Sequence, residues 1–550
     1  MDISKISKSF LDNINDDNIK ALIVELLNLI EEQNQTITEL REANQKLRDE
    51  INHLKGEQGK PEFSRNKKKD NPLVSSEKER KKTKSWHKES KKDRIIIDNE
   101  VKCELSKAEL EKLPGDVRFL RYETRVQQNL KLVRENIKYL VAVYYSESEK
   151  KTYHAQLPSD YQGYFGSSLK TLIHVMTHVC DVTQSKLHQL LQTAGIEISA
   201  GSINNILLKQ GTTYESERQA ILRAGLAVGN YAGMDSTCSK QNGQQLYTQI
   251  INNELFSVFS SRPGKSRLSI LSVLQDTEEY LLPMSLNADA TKLLNTFCLS
   301  QQDKASVCKL LEKDKVYTRT QVEQIIAEQL PTLTAKKNMF HRLLEALAIG
   351  YYHNQTTYPK AEHLLTDDAG EYKKIAFLSH SLCWVHDARH YKKLSPCIEL
   401  HRQIFQEFTK QYWEFYHQLL DYKANPDENN STEIEKEFDR LFTTRTDYFQ
   451  LNQRIEKTCA NKEQLLAVLK YPFIPLHNNA SELAARRVVI KRKISLHTIS
   501  NAGTISRDAA MSIVETAKKL KVNVIDYIND RVSGKYQMPA LADMILMNSS

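Results

Sequence analysis

Between residues 20 and 56, apolar side chains return every three and four positions. One seam holds Ile23, Ile30, Ile37, Asn44 and Ile51, and the other holds Leu26, Gln33, Leu40, Leu47 and Leu54. No Gly or Pro interrupts the repeat before Gly56. The pattern predicts one long helix. Isoleucine on one seam with leucine on the other favours a parallel two-stranded coiled coil, and Asn44 within the isoleucine seam would fix its register. Glu50 then faces Lys55 of the partner subunit. The competing reading is an amphipathic helix packed on its own chain.

The pattern then stops. Residues 65–94 carry 13 Lys and Arg against 5 Asp and Glu, with almost no aliphatic side chains. Such a segment cannot bury enough apolar surface to fold alone, so a solvated linker is expected over 57–94. Its clusters, Lys67, Lys68 and Lys69 and then Arg80, Lys81 and Lys82, could also hold DNA phosphates without sequence preference. Helical spacing returns over 168–210. Leu187, Leu190 and Leu191 share one face, Thr183 can cap that helix, and Gly195 stops it. Ser199 or Ser202 opens a second helix with Ile203, Ile206 and Leu207. Helix, glycine turn, helix is the helix-turn-helix pattern, which helical proteins also produce by chance. Ser202, Asn204 and Asn205 are the candidate base or phosphate contacts.

From residue 229 the pattern changes to strands. Asn230–Asp235 ends in a carboxylate, and Gln245–Asn252 and Glu254–Ser260 follow closely enough for antiparallel pairing. Ser266–Leu274 is helical. Glu362–Asp368 is a short apolar strand ending in acids, and Ser379–His386 resembles its neighbour. This order predicts an α/β ribonuclease-H-like catalytic core. In that arrangement the first Asp lies on the first strand, the second at the end of the fourth, and the third acid on a late helix. Large helical insertions are expected at about 286–358 and 395–470. No glycine occurs between Gly370 and Gly503, which favours long helices there. Phe405, Phe408, Tyr412, Trp413, Phe415 and Tyr416 recur near helical spacing, either as an insert core or as a surface that stacks on unpaired bases. Asn425–Ser431 reads as a polar loop with Pro426 as a helix stop.

The late helix is His477–Arg487 (HNNASELAARR). Asn478 and Asn479 precede Glu482 by four and three residues, and Arg486 follows by four, so all share one helical face. Alone this is equally a solvated helix with an asparagine cap. Together with the two strand-end acids it suggests phosphodiester chemistry. Cleaving a phosphodiester needs an activated water or hydroxyl and charge compensation at the leaving oxygen. Two Mg²⁺ ions, roughly 3.5–4 Å apart, supply both, and Mg²⁺ takes hard oxygen ligands. Mn²⁺ would serve as well. Asp235, Asp367 and Glu482 are the candidate catalytic and metal-binding triad, with Asp235 placed between the metals and the bridging position open among the three. Asp368 is a rival for Asp367. Each Asp alone reads equally as a turn former. Past Glu482, Arg486, Arg487, Lys491, Arg492 and Lys493 form a dense cationic stretch suited to phosphate, or to a solvated face.

Composition narrows the field without deciding it. The net charge of +8 suits an acidic partner such as DNA. The eight cysteines form no CxxC pair, so neither a disulfide framework nor a cysteine-rich zinc module is readable and no zinc is expected. The N-terminal residues lack the apolar stretch of a signal peptide, and no run approaches a membrane span. A cytoplasmic protein without membrane contact is expected.

At this point the chain resembles the transposases of the insertion-sequence-66 family, which use a DDE ribonuclease-H-like domain. The resemblance rests on Gly233–Thr237 (GMDST), Leu364–Gly370 (LLTDDAG), Cys383–His386 (CWVH) with Arg389 to Leu394, and Asn478–Arg487 continuing to Lys493. It continues through Glu515–Lys518 and Asp526–Ile528 and includes the zipper and the basic linker. It implies Asp235, Asp367 and Glu482 as the metal-binding triad and points to Cys383 and His386 as site-adjacent residues. Two residues do not make a zinc site. Family members usually carry a cysteine-rich zinc module after the linker; this chain has only Cys103 there, so 95–160 must fold otherwise. The expected organisation is a coiled-coil segment over 1–56, linker over 57–94, the small region over 95–160, a helix-turn-helix-like domain over 161–225, the catalytic domain over 226–500 and a helical tail over 501–550. The activity implied is cleavage at element ends and transfer of the 3′-hydroxyl into target DNA, by a homodimer or higher oligomer, with element-encoded accessory proteins as a further class of partner. The alternatives are an inactive DNA-binding derivative and a nuclease without strand transfer.

Overall fold

Consecutive isoleucines on one strand show how the centre is built. Ile250 and Ile251 point to opposite faces of a sheet, and both are fully buried, so the sheet is covered on both sides. Its strands are β1 (Ala232–Gln241), β2 (Gln244–Asn252), β3 (Ser257–Arg262), β4 (His363–Thr366) and β5 (Ser379–Leu382). The order is β3-β2-β1-β4-β5. β1, β2 and β3 pair antiparallel, while β4 runs parallel to β1 and β5 parallel to β4. This computed structural model describes residues 6, 11, 13–55, 95–110, 112, 119–130, 132–158, 161 and 163–548. The expected linker, with Lys67, Lys68 and Lys69, lies outside them.

The chain divides into two units, residues 75–157 with 194–196 and the remainder. In the first, the regular structure among the described residues is a hairpin, Val143–Ser146 with Lys151–His154, and one helical turn at Lys107–Leu110. Its apolar side chains, such as Leu130 and Leu140, are exposed.

The second unit begins with α1 (Asp17–Leu54), one unbroken helix of 38 residues. The two readings of its heptads divide along its length. In the first half Ile23, Val24, Leu27 and Ile30 pack against Ile398, Leu400 and Ile404 of the same chain. Glu31 accepts from the Cys397 backbone at 2.6 Å and faces His401 Nδ1 at 3.4 Å. Asn28 donates to the Asp447 carbonyl and accepts from the Phe449 amide. In the second half Ile37, Leu40, Leu47 and Ile51 are exposed, Leu40 by 64%.

Next come α2 (Ser167–His178), α3 (Gln184–Thr193) and α4 (Ala200–Val228). Gly195 takes φ +77° after α3, where a side chain would be strained. The Ser199 hydroxyl caps α4 by accepting from the Ser202 amide. Met234 and Ile251 face one side of the sheet with α4, α5 (Arg267–Leu274) and α6 (Lys337–Asn354), the last belonging to the first insertion.

The second insertion holds α8 (Glu399–Ala424), α9 (Glu428–Phe442) and α10 (Phe449–Ala460), entered from α7 (Trp384–Lys392). The break after Pro426 is shorter than expected, because Asp427 caps α9 at once. Phe405, Phe408, Tyr412, Trp413, Phe415 and Tyr416 are all buried in one cluster with Trp384, so the stacking-surface alternative is not what they form. Ser379–His386 is also corrected: the strand ends at Leu382 and Trp384 already starts α7.

The far face of the sheet carries α11 (Asn479–Ser495) and α12 (Asn501–Lys519), which pack on Ile250 and Phe259 through Ala484, Val488 and Met511. α12 also closes the β3 edge. Asp508, Ser512 and Thr516 accept from the amides of Ser261, Phe259 and Ser257 at 2.7, 2.9 and 3.1 Å. Four helical residues rise about 6 Å and two strand residues about 6.7 Å, so alternate edge amides meet every fourth helix residue. An edge left open would invite other strands. α13 (Val524–Ser533) follows. Among the described residues no helix is long and apolar enough to cross a membrane.

Candidate active site

Parallel pairing brings the first two acids together. Gly233 of β1 stands opposite Leu365 of β4, and two residues on from each come Asp235 and Asp367. Both then leave adjacent strands at the same level on the same face. β4 ends at Thr366, so Asp367 is the first residue beyond it. Each carboxylate is steadied by a local amide, Asp235 by Ser236 at 2.7 Å and Asp367 by Ala369 at 3.1 Å.

The third acid is delivered by the start of α11. Asn478 holds the cap position but does not cap; its side chain donates to the Met234 carbonyl at 2.8 Å. Ser481 donates to Asn478 and accepts from Asn252 at 2.8 Å. A Cβ on Gly233 would lie 2.9 Å from Ser481 Oγ and 3.0 Å from Asn478 Oδ1, so glycine is what lets the helix start sit on the strand. Glu482 follows directly, over β1. The fully buried Cys383 accepts from the Asn478 amide at 3.1 Å, and burial pushes its thiol up to about 11. It ties the starts of α7 and α11 together as a neutral thiol. Asn479 opens α11, half-buried.

α7 supplies the other wall. Trp384, Ala388 and Tyr391 sink into the aromatic cluster of the second insertion. Asp387 is bonded there to Arg454, Thr458 and Tyr412. This fixes the opposite face, His386 and Arg389, three residues apart on the helix, toward Glu482. Arg389 Nη2 donates to Glu482 Oε2 at 2.7 Å and Nη1 to His386 Nε2 at 3.1 Å. His386 Nε2 stands 3.7 Å from Glu482 Oε1. Accepting from a guanidinium requires the neutral ring with its proton on Nδ1, and that atom is buried without a hydrogen-bond partner among the described residues.

Burial holds the Asp235 carboxyl up at about 6, and the charges of Asp367 and Glu482 add to this. Asp367 is also raised, by burial first and then by Asp368 and Glu371, while His386 opposes. Burial lowers His386 and the Arg389 charge lowers it further, against Glu482. Hard oxygen donors, two of them on carboxyls that burial holds above their ordinary range, fit a divalent cation such as Mg²⁺ or Mn²⁺. They are not closed around one point: among the described residues no three His, Cys, Asp or Glu side chains form a metal-ready set. Glu482 gives one oxygen to Arg389 instead.

The other expected contacts divide. Asp368 does not join the acids; it pairs with His390 at 3.3 Å. Glu482 takes Arg389, not Arg486, as its cation. Three of the five cations on α11 are occupied inside the protein, which corrects the phosphate reading for them. Arg487 pairs with Asp181 at 2.8 Å and Glu515 at 3.1 Å. Lys491 is buried, bonded to the Thr177 carbonyl and 3.6 Å from Asp181. Arg492 donates to the Cys238 carbonyl. Arg486 and Lys493 are exposed, and Ser202 and Asn204 are half-exposed at the start of α4. Sequence reasoning missed Arg389 as a partner of Glu482, although its place three residues after His386 was the available signal. It also missed Tyr372, buried beside Asp235 and hydrogen-bonded to Ser236; no sequence pattern marked it.

The site's residues also carry the likeness to known proteins. The pattern of the transposase IS66 family matches residues 353–505, a stretch holding Asp367, His386, Arg389 and Glu482 but not Asp235. The uncharacterized protein y4jO of Sinorhizobium fredii (strain NBRC 101917 / NGR234) is 29% identical over 321 residues, covering 57% of this chain and 94% of that protein. Over residues 353–505 the chain is therefore similar to the transposase IS66 family.

Proposed function

We propose that the protein is a DNA transposase of the DDE type, with a ribonuclease-H-like core, that cuts strands at the ends of its element and joins the freed 3′-hydroxyl to target DNA. The observation carrying this reading is that Asp235 on β1 lies within reach of the charges of Asp367, at the end of β4, and Glu482, in the first turn of α11. The strand order β3-β2-β1-β4-β5 supports the fold assignment. Asp235, Asp367 and Glu482 would hold divalent cations, which supply activation of the attacking oxygen and charge compensation at the leaving one. The chain's own part is placement. Asn478 and Ser481 set the height of Glu482 over β1, α7 closes the side of the site, and exposed Arg486 and Lys493 offer charge to the DNA backbone beside it. The exposed second half of α1 supports pairing of two subunits, which would hold two DNA ends together and raise their effective concentration.

The test is cleavage of a plasmid carrying the element's flanking DNA, in Mg²⁺ and in EDTA, by the parent and Glu482→Gln. Metal-dependent nicking at the ends with joined products, lost in the variant, is the expected result. Nicking without joined products would reduce the reading to a nuclease. DNA binding without nicking in Mg²⁺ would reduce it to a binding protein.

A further inference from the structure

Arg389 is an unusual neighbour for an acid meant to bind metal. Its guanidinium sits on Glu482 at 2.7 Å, where a cation would compete for the same oxygen. Its backbone is not free to withdraw, because Trp384, Asp387, Ala388 and Tyr391 root α7 in the insertion. Its side chain is free to do so: it is 44% exposed, and among the described residues its only other hydrogen bond is the one to the neutral His386. The arm is long enough to swing while the helix stays still. An exposed guanidinium–carboxylate pair is weakly held, and a freed guanidinium next to a polyanion takes phosphate with two parallel hydrogen bonds.

We propose that Arg389 is an exchangeable counter-ion: it neutralises Glu482 until a divalent cation takes that carboxylate, and it then passes to a phosphate of the bound DNA. The exchange makes cation loading and DNA engagement support each other, since each step frees or fills what the other needs. Sites coupled in this way must be coupled in both directions. The inference rests on the assignment of Glu482 as a metal ligand.

Two binding measurements on the full chain test it, with Mn²⁺ and a short DNA duplex of arbitrary sequence as probes. The first is Mn²⁺ affinity without DNA, by calorimetry or spin resonance. Loss of the competing guanidinium should make Arg389→Gln bind Mn²⁺ about two- to fivefold more tightly than the parent, with Arg389→Lys close to the parent. The second is the salt dependence of duplex binding. In Mn²⁺, Arg389→Gln should have a slope shallower by about 0.9, the loss of one phosphate contact; in EDTA it should match the parent. Equal or weaker Mn²⁺ binding by Arg389→Gln overturns the exchange. A slope difference of the same size in both conditions also overturns it, because the phosphate contact would then be permanent. Glu482→Gln separates this failure from that of the underlying assignment. If it leaves Mn²⁺ affinity unchanged, Glu482 is not a ligand and both readings fall; if it weakens Mn²⁺ binding while Arg389→Gln changes nothing, only the exchange falls.

Discussion

α7 and α11 both border the acids, and both carry several cations, but they use them differently. α11 is the denser, with five Arg and Lys within eight residues, and three of these are spent on holding the protein together. α7 carries fewer, and one of them, Arg389, meets the acid at the centre of the site. The difference lies across the gap from each helix. α11 lies against the end of α2, where Asp181 and the last carbonyls of that helix wait for cations, and against the Cys238 carbonyl on β1. A helix C-terminus attracts positive charge, so Arg487 and Lys491 go there. α7 turns its apolar face into the insertion and leaves Arg389 facing Glu482. The density of charge along a helix therefore says little about where each charge goes.

The largest effect expected from this contrast is on stability. Arg487→Ala leaves Asp181, with its side chain 9% exposed, short of its closest cation. Breaking one side of a buried pair costs about 3–5 kcal/mol, and with Lys491 still 3.6 Å from Asp181 the lower end, about 3 kcal/mol, applies. Denaturant unfolding should show a loss of about that size, with no change in the salt slope of DNA binding. A stability change below about 0.5 kcal/mol, with a shallower slope, would return Arg487 to the DNA and erase the contrast between the helices.

A smaller effect is expected at Asp235, where burial outweighs the pull of the Arg389 charge. Its carboxyl stands near 6 when folded against an ordinary 3.8, so the folded state holds its proton more tightly than the unfolded chain. Stability is then lost as pH rises from about 4 to about 6 and stays lost above. Two pH units correspond to at most about 3 kcal/mol. Asp235→Asn keeps the acceptor for the Ser236 amide and removes this cost. In EDTA it should unfold at higher denaturant than the parent at pH 8, with the gap closing below about pH 4. A gap that is flat with pH would mean that Asp235 is better neutralised than its neighbours imply.

The parts of this arrangement that were legible in the sequence are those set by local spacing. The strand grammar from residue 229 to 260 and the acids at 235 and 367 follow from short-range pattern. The observed strands differ from the expected ones by a few residues at their ends: β3 begins at Ser257 rather than Glu254, and β4 stops before Asp367. What was hidden depends on partners far along the chain. Asn478 looked like a cap because caps are local, but its partner is the carbonyl of Met234, 244 residues earlier. The heptads of α1 read as one uniform zipper because the pattern does not reveal that Asn28 meets Asp447, 419 residues away. The aromatic run of α8 was readable as a core by periodicity alone, since nothing polar competes for that face. The cations of α11 were not, because Asp181 and Thr177 come to them only through the packing of α2.

The smallest structural effect, and the sharpest functional one for α11, belongs to Arg486 and Lys493. Seven residues apart, they lie within about 20° of one another around the helix, and Leu483 shares that exposed face. Neither meets an acid among the described residues, so removing both should leave stability within about 0.5 kcal/mol. If this stripe follows the DNA backbone, each residue accounts for about 0.9 of the salt slope, and the double substitution to Gln should flatten it by about 1.8. Unlike Arg389, these residues have no acid to leave, so the flattening should be the same in Mn²⁺ and in EDTA. A metal-dependent change here would mean that cation loading moves α11 as a whole, and the division between a fixed helix and a mobile side chain would have to be redrawn. An unchanged slope would place the DNA on the α7 side of the acids alone.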